Sequence, residues 1–95
     1  KAAVVQFSRA LALELRPRGI RVNCVCPGFI DTDMARTGLE ALRRAGLPVD
    51  ALLSYRQGRL GGAAEVAAAV AFLASDEASF INGQALPVDG GASGT

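Results

Sequence analysis

Two rhythms of apolar residues run through the chain. Ile20, Val22, Cys24 and Cys26 share one parity, while Arg21, Asn23 and Val25 hold the other. This period of two predicts a strand that enters Pro27-Gly28 and opens into a polar loop through Thr32. Proline has no N–H for a ladder, and glycine allows the backbone a sharp exit. Upstream, residues 2–15 read as a helix with Val4, Phe7, Leu11 and Leu15 on one stripe suited to packing on a sheet. Ala3, Ala10 and Leu13 widen the apolar surface, so a second face is expected to meet another helix, in a part of the protein outside this chain or in a second subunit. Pro17 ends that helix and Gly19 frees the turn into the strand. Helix, short turn and strand make half of a crossover unit in a parallel sheet.

Downstream, residues 34–45 carry a short helical pattern, with Leu39 and Leu42 inward and Arg43 and Arg44 outward, stopped by Gly46 and Pro48. Residues 49–57 suggest a second short helix closed by Gly58. Together, residues 33–62 form a long, broken connection, of the kind used for lids and binding loops. Residues 63–75 then predict a clear helix with Val66, Val70 and Leu73 on one stripe and Glu65 in its first turn, where a negative charge suits the helix dipole. Residues 84–88 read as a short last strand, Asp89-Gly90-Gly91 as a chain reversal at a subunit contact, and Gly94-Thr95 as a fraying end.

The chain has 95 residues, half of them apolar and one fifth charged, which places it among globular domains and bounds it to one small domain or part of a larger one. Its formal net charge is +1, and Arg43-Arg44 is the only adjacent basic pair, so no electrostatic surface for nucleic acid or membrane is indicated. No apolar run reaches the length of a membrane span and no signal peptide is visible, which makes the cytoplasm the expected location. Histidine is absent. A Ser-His-Asp hydrolase, a histidine-ligated zinc and a histidine general base are thereby excluded within these residues. Cys24-x-Cys26 is one pair where a metal site needs about four ligands, so no metal is expected, and its i,i+2 spacing on a strand disfavours a disulfide. The two thiols read as small buried hydrophobes.

In an open parallel sheet, ligands bind just beyond the carboxyl ends of the strands. The loop that starts at Pro27 and carries the Thr32 hydroxyl is therefore the best place to look for a site. Taken in order, Lys1, the alanine-rich helix after it, Gly19-Ile20-Arg21-Val22-Asn23, Pro27-Gly28-Phe29-Ile30-x-Thr32-x-Met34 and Val88-Asp89-Gly90-Gly91 resemble the short-chain dehydrogenase/reductases, in particular the 3-oxoacyl-carrier-protein-reductase-like members. The resemblance runs nearly end to end. It implies an α/β fold, the C-terminal portion of a Rossmann-type doubly wound parallel sheet whose N-terminal nucleotide-binding half is missing. Residues 1–95 would then be a partial single domain, with 33–62 as the substrate-loop region. The chain opens at Lys1 directly inside a helical pattern, which carries the same expectation of an upstream portion.

What the resemblance implies for chemistry follows residue by residue. Lys1 matches the lysine of the family's Tyr-x-x-x-Lys motif, in which i and i+4 share one helix face and the cation lowers the phenol's pKa for proton exchange. The same lysine would reach the nicotinamide ribose. Pro27, Gly28, Ile30 and Thr32 match the loop that contacts nicotinamide, with NAD or NADP as cofactor, and fixing the carboxamide fixes the ring face presented. The residues themselves leave another reading open, a Pro-Gly turn followed by a helix cap at Thr32 or Asp33. Met34 lines the substrate or simply packs. Asp31 and Asp33 fit solvation and capping better than acid–base work, Asn23 fits a structural amide tie, and Tyr55 lacks a lysine four residues on and fits a lid or packing role. The glycine-rich phosphate loop, the residue choosing between NAD and NADP, and the catalytic serine and tyrosine all belong upstream in the family pattern. The implied reaction moves a hydride between nicotinamide and a small-molecule carbonyl or secondary alcohol. A homodimer or homotetramer is the implied assembly of the full-length protein. The alternative is an inactive relative kept as a binding or oligomerisation module. For the 95 residues alone, no activity and poor independent stability are expected, because two parallel strands cannot cover both faces of the helices around them.

Overall fold

Helical and strand periodicity resolve into four helices and two strands in the computed structural model, which describes residues 1–94. The expected fraying of Thr95 lies outside the described residues. In order these are α1 (Ala2–Leu15), β1 (Cys24–Pro27), α2 (Asp33–Arg44), α3 (Val49–Arg56), α4 (Ala63–Ala74) and β2 (Ala85–Val88), with single 3₁₀ turns at Arg16–Arg18, Asp76–Ala78 and Ala92–Gly94. β1 and β2 pair in parallel, Cys24 opposite Ala85 through Pro27 opposite Val88. Parallel neighbours need a crossover, and here α2, α3 and α4 supply it. α4 packs on both strands, whereas α1 meets β1.

The strand predicted from residue 20 is shorter than its apolar pattern. Residues 20–23 stand outside the ladder and are tied by asparagine side chains and by Gly83 N–H donating to the Val22 carbonyl at 2.8 Å. Val22 N–H donates to Asn82 Oδ1 at 2.8 Å. Asn23 Nδ2 donates to the Ile81 carbonyl at 3.0 Å, and its Oδ1 accepts from Gln84 N–H at 2.9 Å. Asn23 is thus the backbone tie its position suggested. The ladder proper starts where Cys24 N–H reaches the Gln84 carbonyl at 2.8 Å and runs out at Gly28 N–H on the Val88 carbonyl at 3.1 Å. Arg21 lies on the opposite parity from the cysteines and places its guanidinium on the carbonyls of Leu73 (2.8 Å), Ser75 (3.0 Å) and Ile81 (3.3 Å). It caps the negative end of α4, where a cation complements the helix dipole.

The face that α1 turns inward keeps Leu11 and Leu15 of the predicted stripe but not Val4 and Phe7. Ser8 and Ala12 are buried, with Val5, Leu11 and Leu15 half-buried, while Val4 and Phe7 are 60% and 67% exposed. Small side chains set this choice, because Ala12 Cβ lies 3.5 Å from where a Cβ on Gly83 would stand, and a bulkier residue would hold the helix off the sheet. Val4, Phe7 and Leu13 are left exposed around the rest of the helix. On α4, Leu73 is buried and Val66 half-buried, but Val70 is 48% exposed.

The core is thin. Ala12, Cys26, Leu73 and Ala78 are buried around the sheet, Leu39 and Val49 between α2 and α3, and no large side chain among the described residues is fully buried. The radius of gyration is 16.1 Å, against about 13 Å for a compact domain of ~100 residues. The accessible surface is 6678 Å², against roughly 5,200 Å² for a folded monomer of this mass. Both free cysteines, Cys24 and Cys26, sit on β1. No helix among the described residues is long and apolar enough to cross a membrane. Expressed by itself, the 95-residue chain is expected to melt broadly, to bind a hydrophobic dye and to associate with rising concentration. A sharp, concentration-independent calorimetric transition would contradict this.

Candidate active site

Parallel pairing brings the carboxyl ends of β1 and β2 side by side, so the segments leaving them, Gly28-Phe29-Ile30 and Asp89-Gly90-Gly91, meet at one edge. Gly28 permits that approach. A Cβ there would lie 2.4 Å from Gln57 Oε1 and 2.9 Å from Asp89 Cβ. Gly90, at φ +60°, is equally confined, with Gln57 O 2.5 Å from where its Cβ would stand. Asp89 closes the second segment on itself. Its Oδ1 accepts from Gly91 N–H at 3.0 Å and its Oδ2 from Ser93 N–H at 2.9 Å. The Ser93 hydroxyl, the N–H groups of Ser93 and Gly91 and, last, the positive charge of Lys1 hold the Asp89 carboxyl below its usual range. Gly28 therefore abuts Asp89 at the carboxyl edge of the sheet, while Lys1 acts on that carboxylate only through its charge and makes no ion pair with it. This reversal is made within the chain.

After Gly28 the loop is held from one side only. Phe29 O accepts from Gly61 N–H at 3.0 Å, and Asp31 N–H donates to Gly61 O at 2.8 Å, so Ile30 and Gly61 form an isolated parallel bridge. In such a bridge the flanking residues take the bonds and the N–H and C=O of the central residue point away. Accordingly, Ile30 N–H and C=O have no partner among the described residues. Phe29 is held a second time by Gln57, which donates from Nε2 to Phe29 O at 2.7 Å and accepts at Oε1 from Phe29 N–H at 2.9 Å. Nε2 also donates to Arg59 O at 2.8 Å, and the residue is buried.

Thr32 stands at the N-cap of α2, its Oγ1 accepting from Ala35 N–H at 3.2 Å. The capping alternative thus describes its local bonding, and its hydroxyl proton remains free to be donated. Met34, the second residue of α2, is 85% exposed. Asp31 pairs with Arg36, bonding to Nη2 at 2.9 Å, and this hydrogen bond holds its carboxyl below the usual range. Asp33 lies in the first turn of α2. The two carboxylates therefore do separate work, as capping and solvation implied. Tyr55 is 79% exposed, which leaves it without a packing role. No group of three or more potential metal-ligating side chains is clustered among the described residues.

Between α2 and α3 an apolar cavity of about 360 Å³ is lined by Phe29, Leu39, Leu42, Val49 and Leu52. Phe29 thus joins the loop to the region expected to meet substrate. Gln57, Gly61 and Asp89 had not been singled out as parts of this site. For Gln57 a signal existed: it continues the inward i, i+4 row of Val49 and Leu53, where an amide on an apolar stripe needs a polar partner.

Comparisons with known proteins bear on the family and the fold. Residues 1–93 match a family model described as enoyl-(acyl carrier protein) reductase. The chain belongs to the short-chain dehydrogenase/reductase family. Over 91 residues it is 56% identical to the 3-oxoacyl-acyl-carrier-protein reductase FabG of Salmonella typhimurium, covering 96% of this chain and 35% of that protein. It therefore spans about a third of the length of the curated relatives it matches. A short-chain dehydrogenase family protein from Francisella tularensis superposes with a TM-score of 0.85 at 35% identity, over 100% of this chain and 42% of that one. The NADPH-dependent reductase YwfH, of bacilysin biosynthesis, gives a TM-score of 0.85 at 39% identity over 96% of this chain and 37% of its own. The expected Rossmann-type α/β fold of this family is thereby established for the chain.

Two outcomes follow from the contacts at this edge. Gly28→Ala should displace Gln57 or Asp89 and destabilise the protein by about 1–3 kcal/mol in a denaturant melt, as overpacking does. The Arg59 guanidinium, hydrogen-bonded to Glu65, and next the Gly62 N–H hold the Glu65 carboxyl down at about 2. That is below its ordinary value, so its contribution to stability is present above pH ~4.5 and is lost as pH falls toward ~2. An NMR titration of the Glu65 carboxyl should give a midpoint near the lower value, moving up toward the ordinary one in Arg59→Ala.

Proposed function

We propose that this chain supplies the C-terminal part of an NAD(P)-dependent oxidoreductase that moves a hydride between nicotinamide and a carbonyl or secondary alcohol. The observation that carries the reading is the unpartnered pair on Ile30, an N–H donor and a C=O acceptor exposed side by side at the carboxyl end of a parallel sheet. A primary carboxamide offers the complementary pair. Gly28 lets the loop approach Gln57 and Asp89 closely enough to hold Ile30 at this edge, and Thr32 Oγ1 keeps a proton to donate. When bound, nicotinamide supplies or takes the hydride. Pro27, Gly28, Ile30 and Thr32 orient the ring, so that one face is presented and the reacting carbon is held at a fixed distance.

Lys1 has the second role. Its ammonium would lower the pKa of a tyrosine one helical turn upstream, letting that phenol exchange a proton with the substrate oxygen near neutral pH. The same ammonium would hydrogen-bond the cofactor ribose. Residues 33–62, with Met34 outward and the apolar cavity behind Phe29, fit a substrate-covering region. The similarity to FabG favours a 3-oxoacyl thioester as substrate. The exposed Val4, Phe7 and Leu13 favour assembly into a homodimer or homotetramer, with the cytoplasm as its location.

The test uses the full-length protein that carries this chain. It should reduce a 3-oxoacyl thioester with NADPH or NADH, and Lys1→Ala should lower kcat/KM by at least ~100-fold, the lower range for general acid–base contributions. Binding of neither cofactor would overturn the proposal. The 95 residues alone should show no turnover.

A further inference from the structure

Gln57 is the one buried polar side chain at this edge, and nothing in the hydride-transfer reading uses it. Its primary amide faces Phe29 as a neighbouring strand would, Nε2 to the carbonyl and Oε1 to the N–H, at 2.7 and 2.9 Å. The remaining Nε2 proton goes to Arg59 O at 2.8 Å, so the amide has no freedom to rotate or flip without losing donors or acceptors. The space around it is closed by backbone. A Cβ on Gly28 would touch its Oε1 at 2.4 Å, and one on Gly90 would touch its carbonyl at 2.5 Å. Phe29 is the residue before Ile30, and β1 has ended at Pro27. With the Gly61 bridge alone, the peptide between Phe29 and Ile30 is anchored on its carbonyl side and at Asp31 only. Gln57 adds the lock on the Phe29 N–H and a second bond on its carbonyl.

We propose that Gln57 is a positioning residue for the nicotinamide. By clamping both backbone groups of Phe29, it fixes the planar peptide that carries the free Ile30 N–H, and so the strength with which that N–H reads the carboxamide oxygen, whereas the Ile30 C=O is held through the Asp31–Gly61 bond. This rests on the hydride-transfer reading above, and it concerns a residue that does not touch the cofactor. The effect is on recognition of the carboxamide rather than on binding of the whole dinucleotide.

A cofactor analogue separates the two. The thionicotinamide analogue keeps the amide N–H groups but replaces the carbonyl oxygen with sulfur, a weaker acceptor for Ile30 N–H. In the full-length protein, the wild type should prefer the natural cofactor over the analogue in Kd, measured by fluorescence titration. Gln57→Leu, close in length and without hydrogen bonds, should cut that preference by about 5- to 10-fold, the worth of roughly one hydrogen bond. A merely structural loss would weaken both ligands equally and leave the ratio unchanged, which overturns the proposal. If Gln57→Leu does not fold, Gln57→Glu decides. Ionised, its carboxylate still accepts from Phe29 N–H but opposes the carbonyls of Phe29 and Arg59. Protonated, it regains one donor. The preference should therefore be low at neutral pH and recover as pH falls through the carboxyl's pKa, and a preference equal to wild type at every pH would overturn the proposal. Failure of the wild type to bind either cofactor would instead bring down the hydride-transfer reading, and this inference with it.

Discussion

Four residue pairs of parallel ladder, Cys24–Pro27 against Ala85–Val88, hold this structure to its function. A parallel pair delivers both of its carboxyl ends to the same edge, whereas an antiparallel hairpin would send them to opposite ends. Residues 28–30 and 89–91 consequently meet, although some sixty positions apart in the chain. The meeting is tight because Gly28 and Gly90 have no side chains, and the space a Cβ would take is occupied by Gln57 and Asp89. The amide ties of Asn23 and Asn82 keep the ladder in register before it begins.

Past the sheet, backbone polarity is redistributed. Phe29 and Asp31 spend their hydrogen bonds on Gln57 and Gly61, leaving Ile30 as the residue whose donor and acceptor stay open. A half-buried residue with open backbone groups is a candidate for ligand contact, since such groups are otherwise satisfied by protein or water. The same loop carries Phe29 into the wall of the apolar cavity between α2 and α3. Phe29, with Gln57 at the C-cap of α3 bonded to it, thus joins these helices to the Ile30 backbone.

Apolar surface is distributed unevenly. α1 uses its small residues, Ser8 and Ala12, to approach the sheet and turns Val4, Phe7 and Leu13 outward, while Phe80 is fully exposed. The long radius of gyration and thin core have the same origin: only two strands are present to receive helices that carry apolar groups on more than one side. Burial of those faces requires protein surface beyond these strands, which agrees with a chain that spans about a third of its relatives' length.

Much of this was legible in the residues. Pro17, Gly46, Pro48 and Gly58 punctuate the helices where local backbone chemistry requires it, and the element order of an α/β crossover follows. The Pro27-Gly28 exit, the opening lysine and the closing Asp89-Gly90-Gly91 carried the family. Local pattern could not say which stripe of α1 faces the sheet, because a helix apolar on several sides has no unique inner face and close approach selected Ala12 over Phe7. Nor could it reveal that Ile30 keeps its backbone open, or that Gln57 closes on Phe29 from 28 residues away. Those are properties of hydrogen-bond partners distant in sequence. Side-chain periodicity specifies which elements form, and only their packing decides whose polar groups are left for a ligand.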